Sequence, residues 1–165
     1  MRTSIVTLVV LLIFSGCKKE SKVLENQVET NTTKEFSKSF ENKKEMDDLF
    51  NKVAAKGDTI AYDKLKSIYF LSGHRFDFLS VSILMSNKFK DQMAYYDTFT
   101  CLYRLNGKND DTENWVFDSY TDPSTLKYAL ENLKKAAYMG NKDARKIIVI
   151  YKEQGRYTRL LSDIH

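Results

Sequence analysis

From residue 44 onward, apolar side chains recur every three or four residues, the spacing that lines one face of an α-helix. Met46, Leu49, Phe50 and Val53 form the first such face, and Gly57 stops it. Asp58 or Thr59 supplies a cap for a second helix, which carries Ala61, Leu65, Ile68 and Tyr69 on one side and stops at Gly73. Phe76 through Phe89 is rich in apolar residues, and its Phe76-Asp77-Phe78 and Val81-Ser82-Ile83 alternation also suits a strand. Helical neighbours on both sides favour a third helix there. Asp91 opens a fourth, through Met93, Tyr96, Phe99 and Tyr103, ending near Gly107. An acidic stretch at 107–121 breaks the rhythm. Asp122-Pro123 then restarts a helix with an Asp cap and a Pro at a position whose N–H would have no partner anyway. Leu126, Ala129, Leu130, Leu133 and Ala137 form its buried face, and Gly140 ends it. Asn141 caps the last long helix, with Ala144, Ile147, Ile148 and Tyr151 inward before Gly155. Residues 156–164 add a short helix.

The expected architecture is all-α, with three helical hairpins whose second helices begin near residues 58, 91 and 141. The first spacing suits a repeat of roughly thirty to forty residues, and the second suits one repeat plus an insertion at 107–121. Six Gly and one Pro in 165 residues leave little turn chemistry for a β fold.

The first 43 residues differ in character. Ile5 through Phe14 form a ten-residue run that is apolar except for Thr7, behind Arg2 and too short for the roughly twenty residues of a spanning helix. Such a run fits the hydrophobic region of an export signal. Residues 18–43 are polar and of mixed charge, and bury too little apolar surface to offset the entropy of ordering. They are expected to form a flexible tether, with Phe36 and Phe40 touching the domain that follows.

Between these segments stands Phe14-Ser15-Gly16-Cys17, followed by Lys18-Lys19-Glu20. This stretch resembles the bacterial lipobox, in which an aliphatic residue, a small residue and Gly or Ala precede a Cys. Ser15, Gly16 and Cys17 match it, whereas Phe14 replaces the usual Leu. The resemblance implies cleavage after Gly16, diacylglycerol on the Cys17 thiol and acylation of the new amino terminus; two or more acyl chains give stable anchoring. It also implies that Lys18, rather than Asp, behind the cysteine favours an outer membrane, facing the periplasm.

Ala136-Ala137-Tyr138-Met139-Gly140-Asn141-Lys142-Asp143-Ala144, with Tyr151 and Gly155, resembles a Sel-one-like repeat, a relative of the tetratricopeptide repeat. Val53-Ala54-Ala55-Lys56-Gly57, with Ala61, Leu65, Tyr69 and Gly73, is a looser copy. Lys66 and Val149 stand where that family has a glycine in the second helix. The resemblance implies a short α-solenoid over residues 44–165, whose concave face binds a peptide or protein.

Charge and chemistry narrow the function classes. A formal net charge of +4 is too small a bias for nucleic acid without a clustered basic face. The distribution is uneven: Asp110, Asp111, Glu113 and Asp118 crowd the insertion, whereas residues 123–165 carry nine Lys or Arg against four acids. Cys17 and Cys101 are the only cysteines, so lipidation of the first leaves Cys101 as a small core residue. The two histidines, His74 and His165, are too few for a His-based site, and Asn109-Asp110-Asp111-Thr112-Glu113 lacks the glycine and distant Glu of a calcium loop. Asp47-Asp48 lies on a polar helix face. No catalytic, metal or cofactor residues emerge. Of the adjacent Tyr95 and Tyr96, one belongs at the surface or in a groove. The expected function is a non-enzymatic, membrane-anchored envelope module for protein binding, with the concave face and 107–121 as contact regions. Alternatives are a periplasmic immunity or inhibitor lipoprotein and, less favoured, an envelope enzyme acting on glycan or lipid.

Overall fold

Short polar side chains set where the helices begin. A computed structural model describes residues 33–106, 115–117 and 119–157. Among them are seven helices: α1 (residues 33–41), α2 (Lys43–Lys56), α3 (Thr59–Leu71), α4 (Phe78–Phe89), α5 (Gln92–Asn106), α6 (Pro123–Tyr138) and α7 (Lys142–Glu153). Asp58 Oδ1 accepts from the Ala61 N–H at 3.0 Å, Asp91 Oδ1 from Ala94 at 2.8 Å, and Asn141 Oδ1 from Ala144 at 2.9 Å. Asn42 and Asp122 cap α2 and α6 in the same way. Each bond satisfies a donor that the helix itself leaves orphaned. The stretch 76–89 is a helix from Phe78 on, as its neighbours suggested.

The helices pack sequentially, as α2–α3, α4–α5 and α6–α7 pairs joined mainly through α5 against α6. Two cores result. Leu49, Val53, Tyr62, Leu65, Ile68, Phe78, Val81 and Met85 fill the first, and Phe99, Leu130, Leu133, Ile147, Ile148 and Tyr151 the second. Burying one such side chain contributes about 1.5–3 kcal/mol. Helix α5 serves both. Ala94 and Cys101, seven residues apart, face the first core, while Tyr95, Phe99 and Leu102 face the second. Of the residues expected to mark this helix, Phe99 is buried and Tyr96 and Tyr103 pack partly buried on the second core, while the opposite face with Ala94 and Cys101 is buried as well. A central helix is covered on two sides; Met93 is left exposed and Tyr96 half-buried.

Helical structure also begins earlier than expected. Residues 33–41, assigned to the tether by their polarity, form α1, and Phe36 and Phe40 pack on the first core. The Phe40 ring stacks on His74 at 3.8 Å between centroids and meets Tyr69 edge-on at 5.5 Å. Two aromatics four residues apart are enough to dock an otherwise polar helix. The signal segment 1–16, Cys17 and the rest of the tether lie outside the described residues, as do 107–114, 118 and 158–165. Residues 156 and 157, where a short final helix was expected to start, are not helical. No helix among the described residues is long and apolar enough to cross a membrane.

Within the described part of the 107–121 insertion, Trp115 and Phe117 pack on the second core, while Ser119 and Tyr120 are exposed. Phe117 is buried, and Trp115 lies 4.8 Å from the Tyr103 ring and 5.7 Å from Phe99. The Tyr151 hydroxyl donates to the Trp115 carbonyl, and the Phe117 N–H donates to the Tyr157 hydroxyl at 3.1 Å. The acidic residues Asp110, Asp111, Glu113 and Asp118 fall outside the described residues.

Candidate functional site

The C-terminal half of α6 runs Lys134-Lys135-Ala136-Ala137-Tyr138 into the Met139-Gly140 turn. Ala136 and Ala137 are small and buried, so α7 approaches closely beneath them. Gly140 reverses the chain at φ 101°, a left-handed conformation that a side chain would strain. Its N–H and that of Asn141 close on the Ala137 and Ala136 carbonyls. The Gln92 side chain at the start of α5 donates to the Met139 carbonyl at 2.8 Å, tying the α4–α5 turn to the α6–α7 turn.

An open groove of about 990 Å³ lies along this junction. Tyr95, Ala137, Met139, Ile148 and Val149 give it an apolar floor and walls. Lys90, Lys134, Lys135, Arg145 and Lys152 also line it, and among the described residues no acidic one does. The cations come from three elements. Lys90 occupies the left-handed C-cap of α4, Lys134 and Lys135 the end of α6, and Arg145 and Lys152 one stripe of α7 with Ile148 and Val149 between them. Arg145 and Lys135 are each held in place by a neighbour within the groove. Arg145 Nε donates to the Ala137 carbonyl at 3.0 Å, at the negative end of α6. The Lys135 ammonium sits 5.4 Å from the centre of the Tyr95 ring. Tyr138, 90 % exposed, stands at the edge.

Of the adjacent tyrosines, Tyr95 is the one that lines the groove, as part of its floor; burial first, then the neighbouring Tyr128, holds its hydroxyl above the usual tyrosine range. Tyr96 is half-buried, and burial with the nearby Asp143 pushes its hydroxyl up to about 12.

A second polar cluster sits inside the fold. Asp97 on α5 is buried and accepts from the Tyr62 hydroxyl at 2.9 Å and the Lys66 ammonium at 2.6 Å, both on α3. Burial raises the Asp97 carboxyl pKa; the Lys66 charge and the two hydrogen bonds oppose it without overcoming it. Burial, then the Asp97 charge, raises Tyr62. Asp97 and Tyr62 are enclosed by helix packing, Lys66 reaches the carboxylate from a partly exposed position, and the cluster joins α3 to α5.

The residues weighed from sequence do not converge. Cys101 is in the first core, its thiol pushed up to about 12 by burial and then by Asp97, so it carries no thiolate near neutrality. His74 lies under Phe40, 3.4 Å from Asp77. Asp47 and Asp48 are exposed on α2. Among the described residues, no three His, Cys, Asp or Glu side chains gather closely enough to hold a metal ion. The groove itself was not anticipated. Its signal was present as the excess of cations after residue 123 and the i, i+3, i+4, i+7 run of Arg145, Ile148, Val149 and Lys152. Comparison with protein-family models, with curated proteins and with solved structures finds no match.

Proposed function

We propose that this chain is a lipid-anchored protein of the bacterial cell envelope whose helical domain holds a protein partner in the α6–α7 groove and catalyses no reaction of its own. The observation that carries the reading is the groove: a preformed apolar floor with convergent charges is the usual form of a binding site. The Ser15-Gly16-Cys17 motif behind a short apolar run supports the anchor, and Lys18 favours an outer membrane facing the periplasm. Sequential pairing of α2–α3, α4–α5 and α6–α7 supports a short Sel-one-like or tetratricopeptide-like solenoid. The two departures from that repeat have local reasons. Lys66 replaces a glycine and reaches Asp97 on α5, and Val149 replaces the other and lines the groove.

The test is site-specific photo-crosslinking in cells producing the full-length protein. A photoreactive residue at Tyr138 or Val149 is expected to give a discrete protein adduct, and one at Ile60, exposed on α3, is not. Cys17→Ser is expected to abolish acyl-chain labelling and release the protein from the membrane fraction. Absence of any groove-dependent protein adduct overturns the binding reading; unchanged acyl labelling of Cys17→Ser overturns the anchor.

A further inference from the structure

Resting on the binding-module reading above, we infer that the groove takes an acidic, apolar-centred peptide segment of its partner. Charge gives the first half of the argument. Lys90, Lys135 and Arg145 meet at one groove from three separate elements, alongside Lys134 and Lys152, with no acid among the described lining residues. An anionic group of a ligand is attracted by Lys90, Lys135 and Arg145 together, which come from parts of the chain far apart in sequence. The cations are also pre-ordered. Arg145 uses its Nε on the Ala137 carbonyl, and its terminal N–H groups have the fork geometry that matches a carboxylate. Lys135 is steadied over the Tyr95 ring. Ordering these side chains before binding removes part of the entropy that a carboxylate ligand otherwise has to overcome.

The floor gives the second half. A site for a bare anion has no use for Tyr95, Met139, Ile148 and Val149, which reward a ligand that buries apolar side chains. At about 990 Å³ the groove stands at the top of the range of roughly 300–1,000 Å³ for sites that enclose small molecules, and it is open along its length. An extended or helical segment with Leu or Phe at its centre and Asp or Glu at its flanks satisfies the floor and the rim together. A bilayer is a poorer match, because a flat surface cannot reach the floor of a concave groove.

Fluorescence anisotropy on the full-length protein in detergent tests this with three short labelled peptides. In the first, Leu and Phe alternate with Asp and Glu; in the second, Lys replaces the acids; in the third, Ser replaces Leu and Phe. The first is expected to bind at about micromolar Kd and the other two at least about tenfold more weakly. Charge reversal by Lys135→Glu with Arg145→Glu is expected to weaken the acidic peptide at least about tenfold and strengthen the Lys peptide. A salt series on the unaltered protein gives the same test without substitution: affinity for the acidic peptide falls as the Debye length shortens from about 10 Å to about 3 Å. Equal binding of the acidic and Lys peptides, or no binding of either, overturns the inference. So does sedimentation with phosphatidylglycerol vesicles that depends on Lys135 and Arg145 while the acidic peptide stays free. Each of these leaves the binding module standing if the groove cross-links persist, whereas their absence removes the module itself.

Discussion

Lys66→Met removes the only cation that touches the buried Asp97 carboxylate among the described contacts, and its consequence follows from the geometry. Asp97 is 2 % exposed and keeps the Tyr62 hydroxyl as its remaining partner. Breaking a buried ion pair by removing one member costs about 3–5 kcal/mol. The Lys66 side chain is 28 % exposed, so the lower end applies, and about 3 kcal/mol of unfolding free energy is expected to be lost near neutral pH. In an Asp97→Asn background the amide carries no charge to balance, and the same Lys66→Met change is expected to cost under about 1 kcal/mol, a coupling of about 2 kcal/mol. The pH dependence has a definite sign. The Asp97 carboxyl is raised in the folded protein, so the folded state binds more protons than the unfolded state between the ordinary and the raised values. Its contribution is therefore full below the ordinary carboxylate range and declines as pH rises through the raised value. Removing Lys66 takes away the largest influence holding that value down. The Lys66→Met deficit is thus smallest in acid and grows toward neutrality, by about 1.4 kcal/mol for each unit of further rise. Urea unfolding followed by circular dichroism over a pH series measures all of this. A deficit under about 0.5 kcal/mol, equal in both backgrounds and flat with pH, refutes the reasoning.

Gly57→Ala is expected to lower stability by about 2–4 kcal/mol, because φ is +65° there and a Cβ would lie 2.6 Å from the Phe89 ring. Gly73→Ala, at φ +86° with open space around it, is expected to cost about 1 kcal/mol; equal losses in the same urea assay would contradict the role given to Phe89. Phe40→Ala removes the ring stacked on His74 and is expected to cost about 1–2 kcal/mol while speeding proteolysis within residues 33–41; unchanged cleavage would mean that α1 does not dock through Phe40. Cys101 is expected to resist alkylation in the folded protein at mildly alkaline pH and to react once urea unfolds it; fast labelling of the native chain would contradict its burial.

Most of the helical skeleton was legible because its signals are local. Asp58, Asp91, Asp122 and Asn141 cap helices where a short polar side chain precedes an apolar run, and Gly57 and Gly140 adopt the left-handed turns that favour glycine. The buried faces of α6 and α7 follow directly from spacing, since each helix meets the core on one side. On helix α5 the same reasoning found the side that carries Phe99 and Tyr103 but not the one that carries Ala94 and Cys101, because a one-face rule has no way to express a helix covered on two sides. Residues 33–41 defeated composition, since two phenylalanines in a polar stretch weigh little on average and much when His74 and Tyr69 are waiting for them. Trp115 and Phe117 sit in a segment judged by its acidic neighbours, yet both pack on the second core. The groove was out of reach for a further reason. Lys90 and Lys152 are distant in sequence, and only the docking of the α4–α5 turn against α6–α7, held by Gln92 on the Met139 carbonyl, brings their charges together.

The central claim is that a protein partner occupies the α6–α7 groove. Amide hydrogen exchange on the full-length chain, free and bound to the partner isolated through the Tyr138 or Val149 cross-link, tests it most directly. The account predicts slower exchange in the bound state at the end of α6 and through α7, around Tyr138 and Arg145–Lys152, with α2 and α3 unchanged. Protection confined to α2 and α3, or identical exchange in the two states, would contradict it.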